Sequence, residues 1–164
     1  MDNNMMSAKN ETLSHAMPQL PERLNFLLVD DDDICLFIHR RVLELSGYCR
    51  SAHSAGNGRT ALEILNHAAM GDDALPDIIL LDLEMPLMNG LAFLEAFKRL
   101  DLPGKERIAI VLLTSSVSEK DKQYARSLGA DHYLAKPFTM EGLRDVVRSL
   151  YSCDPDSPVM FPNK

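Results

Sequence analysis

The chain has 164 residues, 46% of them hydrophobic and 25% charged, with 17 basic against 24 acidic side chains and a formal charge of −7. That length suits one domain, or one domain with tails, and it can bury a core without disulfide staples. The negative balance argues against a nucleic-acid-binding surface, and no apolar run approaches the roughly 20 residues that a membrane helix needs. Residues 1–22 lack the apolar segment of a secretory signal and, with Pro18 and Pro21, read as a mobile tail. Cys35, Cys49 and Cys153 are unpatterned and read as reduced thiols of a cytoplasmic protein. The folded unit is expected over residues 23–151. Residues 152–164 carry Pro155, Pro158 and Pro162 and are expected to form a tail, with no output domain.

Strand-like and helix-like patterns alternate inside that unit. Residues 25–29 form a short apolar run ending in acid, and Ile34, Phe37, Ile38, Val42 and Leu45 then recur at helical spacing before Gly47. Residues 49–55 are a weak strand, and Ala61, Leu62 and Leu65 mark a second helix. Residues 67–75 make a long connection into the apolar run 77–82. Leu91, Leu94 and Phe97 mark a third helix, and residues 108–113 form another apolar run ending at Thr114, Ser115 and Ser116. Ser118 to Asp121 fit a capping box for a fourth helix over 119–128, whose apolar face (Tyr124, Ala125, Leu128) is thin; Gly129 closes it. Residues 132–135 are a short strand before Lys136 and Pro137. Thr139 caps a fifth helix with Leu143, Val146, Val147 and Leu150 on one face, and Phe138 and Leu143 have the spacing of a hydrophobic staple. Cys35 is expected on the inner face of the first helix. The five histidines form no ligand pair and suggest no role.

Five strands and five helices in strict alternation imply a parallel sheet covered on both faces, and such sheets bind ligands beyond the carboxyl ends of their strands. Those ends carry Asp30, Asp31, Asp32 and Asp33, then Asp82, Thr114 and Lys136. Clustered carboxylates repel unless a cation joins them. Mg²⁺ takes one or two carboxylates plus phosphate oxygens, and a lysine supplies a point charge for a phosphoryl group. A carboxylate so placed can attack phosphorus and form an aspartyl phosphate. A calcium-binding loop is excluded, because Ile34 and Cys35 stand where an oxygen donor and a glycine are required.

Four segments in this order (LLVDDDD at 27–33, PDIILLDLEMPLMNG at 76–90, IVLLTSS at 110–116 and GADHYLAKPFT at 129–139) resemble the receiver domain of two-component response regulators. The resemblance implies a flavodoxin-like (βα)5 three-layer sandwich with strand order 2-1-3-4-5. It implies Asp82 as phosphoacceptor, with Asp30, Asp31, Asp82 and the Glu84 backbone carbonyl around Mg²⁺. Lys136 would pair with the phosphoryl group across a cis Lys136–Pro137 bond, Thr114 would be the switch hydroxyl, and Tyr133 the aromatic switch. By the same resemblance, Glu84 and Ser116 would occupy the two variable positions that in this family tune loss of the phosphoryl group. Placing the acidic pair directly after the strand leaves Asp32 and Asp33 to cap the first helix. The function implied is a single-domain, non-enzymatic regulator taking a phosphoryl group from a sensor histidine kinase or phosphotransfer protein. Its output would pass to a protein target, with neither nucleic acid nor membrane as partner. Two other readings compete: a phosphorylation-independent binding module of the same fold, and a phosphatase of the haloacid dehalogenase type. The latter needs a second Asp where Glu84 stands.

Overall fold

A strand that is apolar on every residue must be covered on both faces, and the chain is built to supply that cover. The structure, a computed structural model, describes residues 23–71, 73–115 and 118–151. In chain order the elements are β1 (Leu24–Val29), α1 (Asp33–Leu45), β2 (Cys49–Ala55), α2 (Gly58–Met70), β3 (Ile78–Asp82) and α3 (Gly90–Arg99). A 3-10 turn (Lys105–Arg107) follows, then β4 (Ala109–Thr114), α4 (Glu119–Ser127), β5 (His132–Ala135) and α5 (Met140–Tyr151). The five strands are parallel, in the order β2-β1-β3-β4-β5. This is the expected flavodoxin-like arrangement. The predicted tails and Ser116 lie outside the described residues.

Alternate residues of each strand feed two cores. On one face Leu27, Val29, Ile79, Leu81, Ile110 and Leu112 pack with α2, α3 and Ala125 of α4. On the other, Phe26, Leu28, Ile78, Leu80, Val111 and Leu113 pack with α1 and α5. β3 is buried at all of its residues, which explains why it reads as an unbroken apolar run.

Helix ends are set locally, as expected. Asp32 accepts from the Ile34 and Cys35 amides at 2.8 and 3.2 Å, and Thr139 accepts from the Gly142 amide at 3.1 Å. Ser118 accepts from the Asp121 amide at 3.2 Å, but the return bond differs from a full capping box: the Ser118 hydroxyl itself donates to the Asp121 carboxylate at 2.7 Å. Phe138 and Leu143 are both buried in the α5 core, so the staple forms. Gly47 and Gly129 take positive φ after their helices.

The apolar stripe of α1 does not face the core. Ile34, Phe37 and Leu45 are 71%, 66% and 65% exposed, whereas His39 and Leu43 are fully buried. Asp32 fixes the helical phase directly after β1, and that phase turns residues 36, 39 and 43 toward the sheet. Cys35 is half-buried.

One close approach places α3. A Cβ on Gly90 would meet the Asp82 carbonyl oxygen and Leu83 well inside van der Waals contact. The Gly90 amide donates to the Leu83 carbonyl at 3.0 Å, so only glycine allows α3 to start hard against the end of β3. Gly90→Ala is therefore expected to cost about 1–3 kcal/mol, the usual range for an overpacked site. Thermal unfolding checks this, and an unchanged midpoint would show that the chain relaxes there freely.

Candidate functional site

The parallel register decides which acids meet. β1 and β3 are neighbours with Val29 opposite Leu81, so the next residues, Asp30 and Asp82, leave the sheet side by side. The Asp30 amide is held by the Ala55 carbonyl at 3.0 Å, and Asp30 Oδ1 accepts from the Asp32 amide at 3.0 Å. Asp82 Oδ1 accepts from the Glu84 amide at 3.3 Å. β4 and β5 bring the cation: the Lys136 amide donates to the Thr114 carbonyl at 2.8 Å, and the Lys136–Pro137 bond is cis, as expected.

The Lys136 ammonium lies 2.7 Å from Asp30 Oδ2 and 3.1 Å from Asp82 Oδ2. Asp30 is fully buried, Asp82 is nearly so, and Asp31 is exposed at the rim. One carboxylate oxygen from each of Asp30, Asp31 and Asp82 falls within 4.8 Å of the others. Burial raises the Asp82 pKa above the ordinary carboxylate range, against the opposing pull of Lys136. Burial acts to lower the Lys136 pKa, but hydrogen bonds to Asp30 and Asp82 outweigh it and hold the ammonium above its usual value. The backbone amides of Cys35 and Ile34 lower that of Asp32, in keeping with its role as a cap.

Three carboxylate oxygens converging at the mouth of a parallel sheet are the donors a hard divalent cation takes, so the residues present fit Mg²⁺. The other expected residues are near by. Thr114 ends β4, half-buried, one step beyond Leu113, which pairs with Asp82. Tyr133 is half-buried on β5, with the Lys122 ammonium 4.9 Å from its ring centroid. Glu84 is exposed in the loop after β3. α4 buries only Ala125 among its residues, and the Tyr124 hydroxyl fastens it to α3 by donating to Glu95 at 2.6 Å.

Sequence reasoning missed three features here. Leu87, in the β3–α3 loop, has φ 66° and is 88% exposed. Lys122 over Tyr133 pairs residues from two elements, and no local pattern announces it. His39, assigned no role, is fully buried and stacks on Phe138 at a centroid distance of 4.3 Å; the only signal was an imidazole at an inward helical position.

The family model described as the response regulator receiver domain matches residues 26–148. Among curated proteins, the protein-glutamate methylesterase/protein-glutamine glutaminase of Treponema pallidum is 38% identical over 128 residues, covering 76% of this chain and 29% of that protein. The transcriptional regulatory protein CpxR of Escherichia coli is 34% identical over 124 residues, 76% of this chain and 47% of that protein. The chain thus spans under half the length of these two relatives. It spans 95% of the probable chemotaxis protein CheY of Rhizobium etli, at 27% identity. A two-component response regulator of Cytophaga hutchinsonii superposes with a TM-score of 0.71 at 28% identity, over 78% of this chain and 97% of that one. A chemotaxis response regulator of Vibrio cholerae superposes with a TM-score of 0.65 at 29% identity, over 78% and 98%.

The raised Asp82 pKa has a signed consequence. An acid whose folded pKa lies above its unfolded value favours folding at low pH, and that contribution is lost as pH rises through the folded pKa. In chelator, Asp82→Asn is therefore expected to unfold at a higher temperature than the native chain at pH 7.5. Its advantage should shrink as pH falls into the ordinary carboxylate range. An offset that does not vary with pH would refute the assignment of the strain to Asp82 ionisation. Lys136→Met should act oppositely, destabilising by about 3–5 kcal/mol at neutral pH because it strands two buried carboxylates.

Proposed function

The chain belongs to the response regulator receiver family, and we propose that it accepts a phosphoryl group on Asp82 from a phosphohistidine of a sensor kinase or phosphotransfer protein. The observation that carries this reading is the Lys136 ammonium seated between Asp30 and Asp82, with Asp31 completing an oxygen cluster. Asp82 is the acceptor because it stands at the mouth, with one oxygen held by the Glu84 amide and the other by Lys136. In the transfer, an Asp82 oxygen forms a bond to phosphorus as the phosphorus–nitrogen bond of the donor breaks. The departing imidazole nitrogen keeps the electron pair and takes a proton from water. Asp30, Asp31, Asp82 and the Glu84 carbonyl would hold Mg²⁺, which neutralises phosphoryl charge when bound. Lys136 orients the phosphoryl oxygens, and positioning with charge neutralisation is most of what such a transfer asks of a protein.

Thr114 and Tyr133 carry the change outward. The Thr114 hydroxyl turns to the new phosphoryl oxygens, and Tyr133 follows from beneath Lys122. The α4 surface is held lightly enough to respond, since that helix buries only Ala125. The chain is in this reading a switch and not a turnover catalyst, working in the cytoplasm on a protein target. No helix among the described residues is long and apolar enough to cross a membrane.

The donor is a protein, and the outward stripe of α1 supports this. Ile34, Phe37 and Ile38 are exposed at the end of the helix that starts two residues beyond Asp31. An apolar patch beside a reacting carboxylate suits the flank of a partner that must deliver a histidine to it.

Intact mass after incubation with Mg²⁺ and acetyl phosphate tests the chemistry. One added phosphoryl group is expected on the native chain, none on Asp82→Ala, and none when chelator is added first. Labelling of Asp82→Ala would move the acceptor elsewhere. Phe37→Glu is expected to slow transfer from a phosphorylated protein donor by about tenfold, in the range of a modest interface contact, and to leave labelling by acetyl phosphate at the native rate. Equal slowing with both donors would show damage to the site instead.

A further inference from the structure

His39 is the one histidine among the described residues that is fully buried, and neither of its ring nitrogens has a hydrogen-bond partner there. An aliphatic side chain would fill the same place without stranding polar atoms, so the imidazole needs a reason. Its ring lies flat on Phe138, with centroids 4.3 Å apart and planes 14° from parallel. Phe138 is itself buried and follows Lys136 by two residues. The stack therefore joins α1 to the loop that delivers the ammonium. The charges acting on His39 come from Asp30, Lys136 and Asp32, and burial keeps its pKa below the usual value. A neutral ring offers one N–H and one lone pair.

Asp30 supplies the matching need. It is fully buried, and its Oδ2 rests against the Lys136 ammonium at 2.7 Å. A divalent cation at the cluster would compete with Lys136 for that carboxylate, and a ligating carboxylate is ordinarily steadied by a hydrogen-bond donor behind it. We propose that His39 is a positioning residue of the site: its ring holds Phe138, and with it the Lys136 loop, and its N–H becomes the donor to Asp30 when a divalent cation occupies the carboxylate cluster. This rests on the phosphoacceptor reading and names a residue that reading does not use.

The test uses Mg²⁺ alone as probe, with calorimetric titration and the ¹⁵N signals of the His39 ring as readouts. His39→Leu keeps the burial and removes the donor. It is expected to melt at or above the native temperature in chelator, yet bind Mg²⁺ about tenfold more weakly, the lower end of what loss of a supporting partner costs a metal site. His39→Gln, which restores an N–H donor, is expected to recover part of that affinity. In the native chain, saturation with Mg²⁺ should move one ring nitrogen to the shift of a hydrogen-bonded N–H. Native Mg²⁺ affinity in His39→Leu overturns the proposal, and so does a ring signal that does not move at saturation. The ring signal decides alone if the leucine variant does not fold. A native chain that takes up no Mg²⁺ overturns the phosphoacceptor reading as well, which separates the two failures.

Discussion

Two buried carboxylates on adjacent strands would repel each other if nothing lay between them, and one ammonium keeps them together. The sheet makes the arrangement unavoidable. Parallel pairing of Val29 with Leu81 sends Asp30 and Asp82 out of the same edge at the same height, and a lysine on β5's exit loop reaches both. Removing the lysine leaves two carboxylates with uncompensated charge, whereas removing either carboxylate leaves a matched pair. The tight start of α3 against Asp82, the amide of Asp32 on Asp30 and the anchoring of Lys136 on Thr114 all serve to hold that geometry.

The two faces of the sheet divide the labour. α1 and α5 on one side carry the rigid part of the site: the cap at Asp32, the Leu43 anchor and the Phe138 staple. On the other side, α4 buries only Ala125 and is otherwise held by surface contacts: the Tyr124 hydroxyl on Glu95, Lys98 on the Ser127 carbonyl and Lys122 over Tyr133. On that face α2 and α3 are firmly packed, so α4 alone is the lightly held element next to the strand ends. In the proposed switch, α4 would be the element that a charge change at Asp82 moves most readily.

Much of this was legible in the sequence. β3 and β4 are buried on both faces, so they read as unbroken apolar runs, and their acid and hydroxyl ends located the site. β2 was faint because it is an edge strand with only Ala55 fully buried. The face of α1 was not legible. Periodicity establishes that a segment is helical, but it points to the core only if the more apolar stripe is the one the fold covers. Here Ile34, Phe37 and Leu45 outweighed a line containing His39, and the fold buried the histidine. Contacts between side chains far apart in the chain, such as Lys122 with Tyr133 and His39 with Phe138, leave no periodic trace at all.

The Lys136 contact also bears on the kind of ion that the mouth of the sheet would suit. Three carboxylates share the opening with a single ammonium. With all four groups ionised they leave a double negative charge, which a divalent cation neutralises and a monovalent one leaves half uncompensated. The ammonium already contacts one oxygen of Asp30 and one of Asp82, so an incoming cation would meet the exposed Asp31 first and compete with Lys136 for the two inner carboxylates. Entry would then resemble an exchange of counterions more than the filling of a hole. Valence would weigh in the choice of ion alongside radius, and monovalent salt would act mainly by screening the exposed rim.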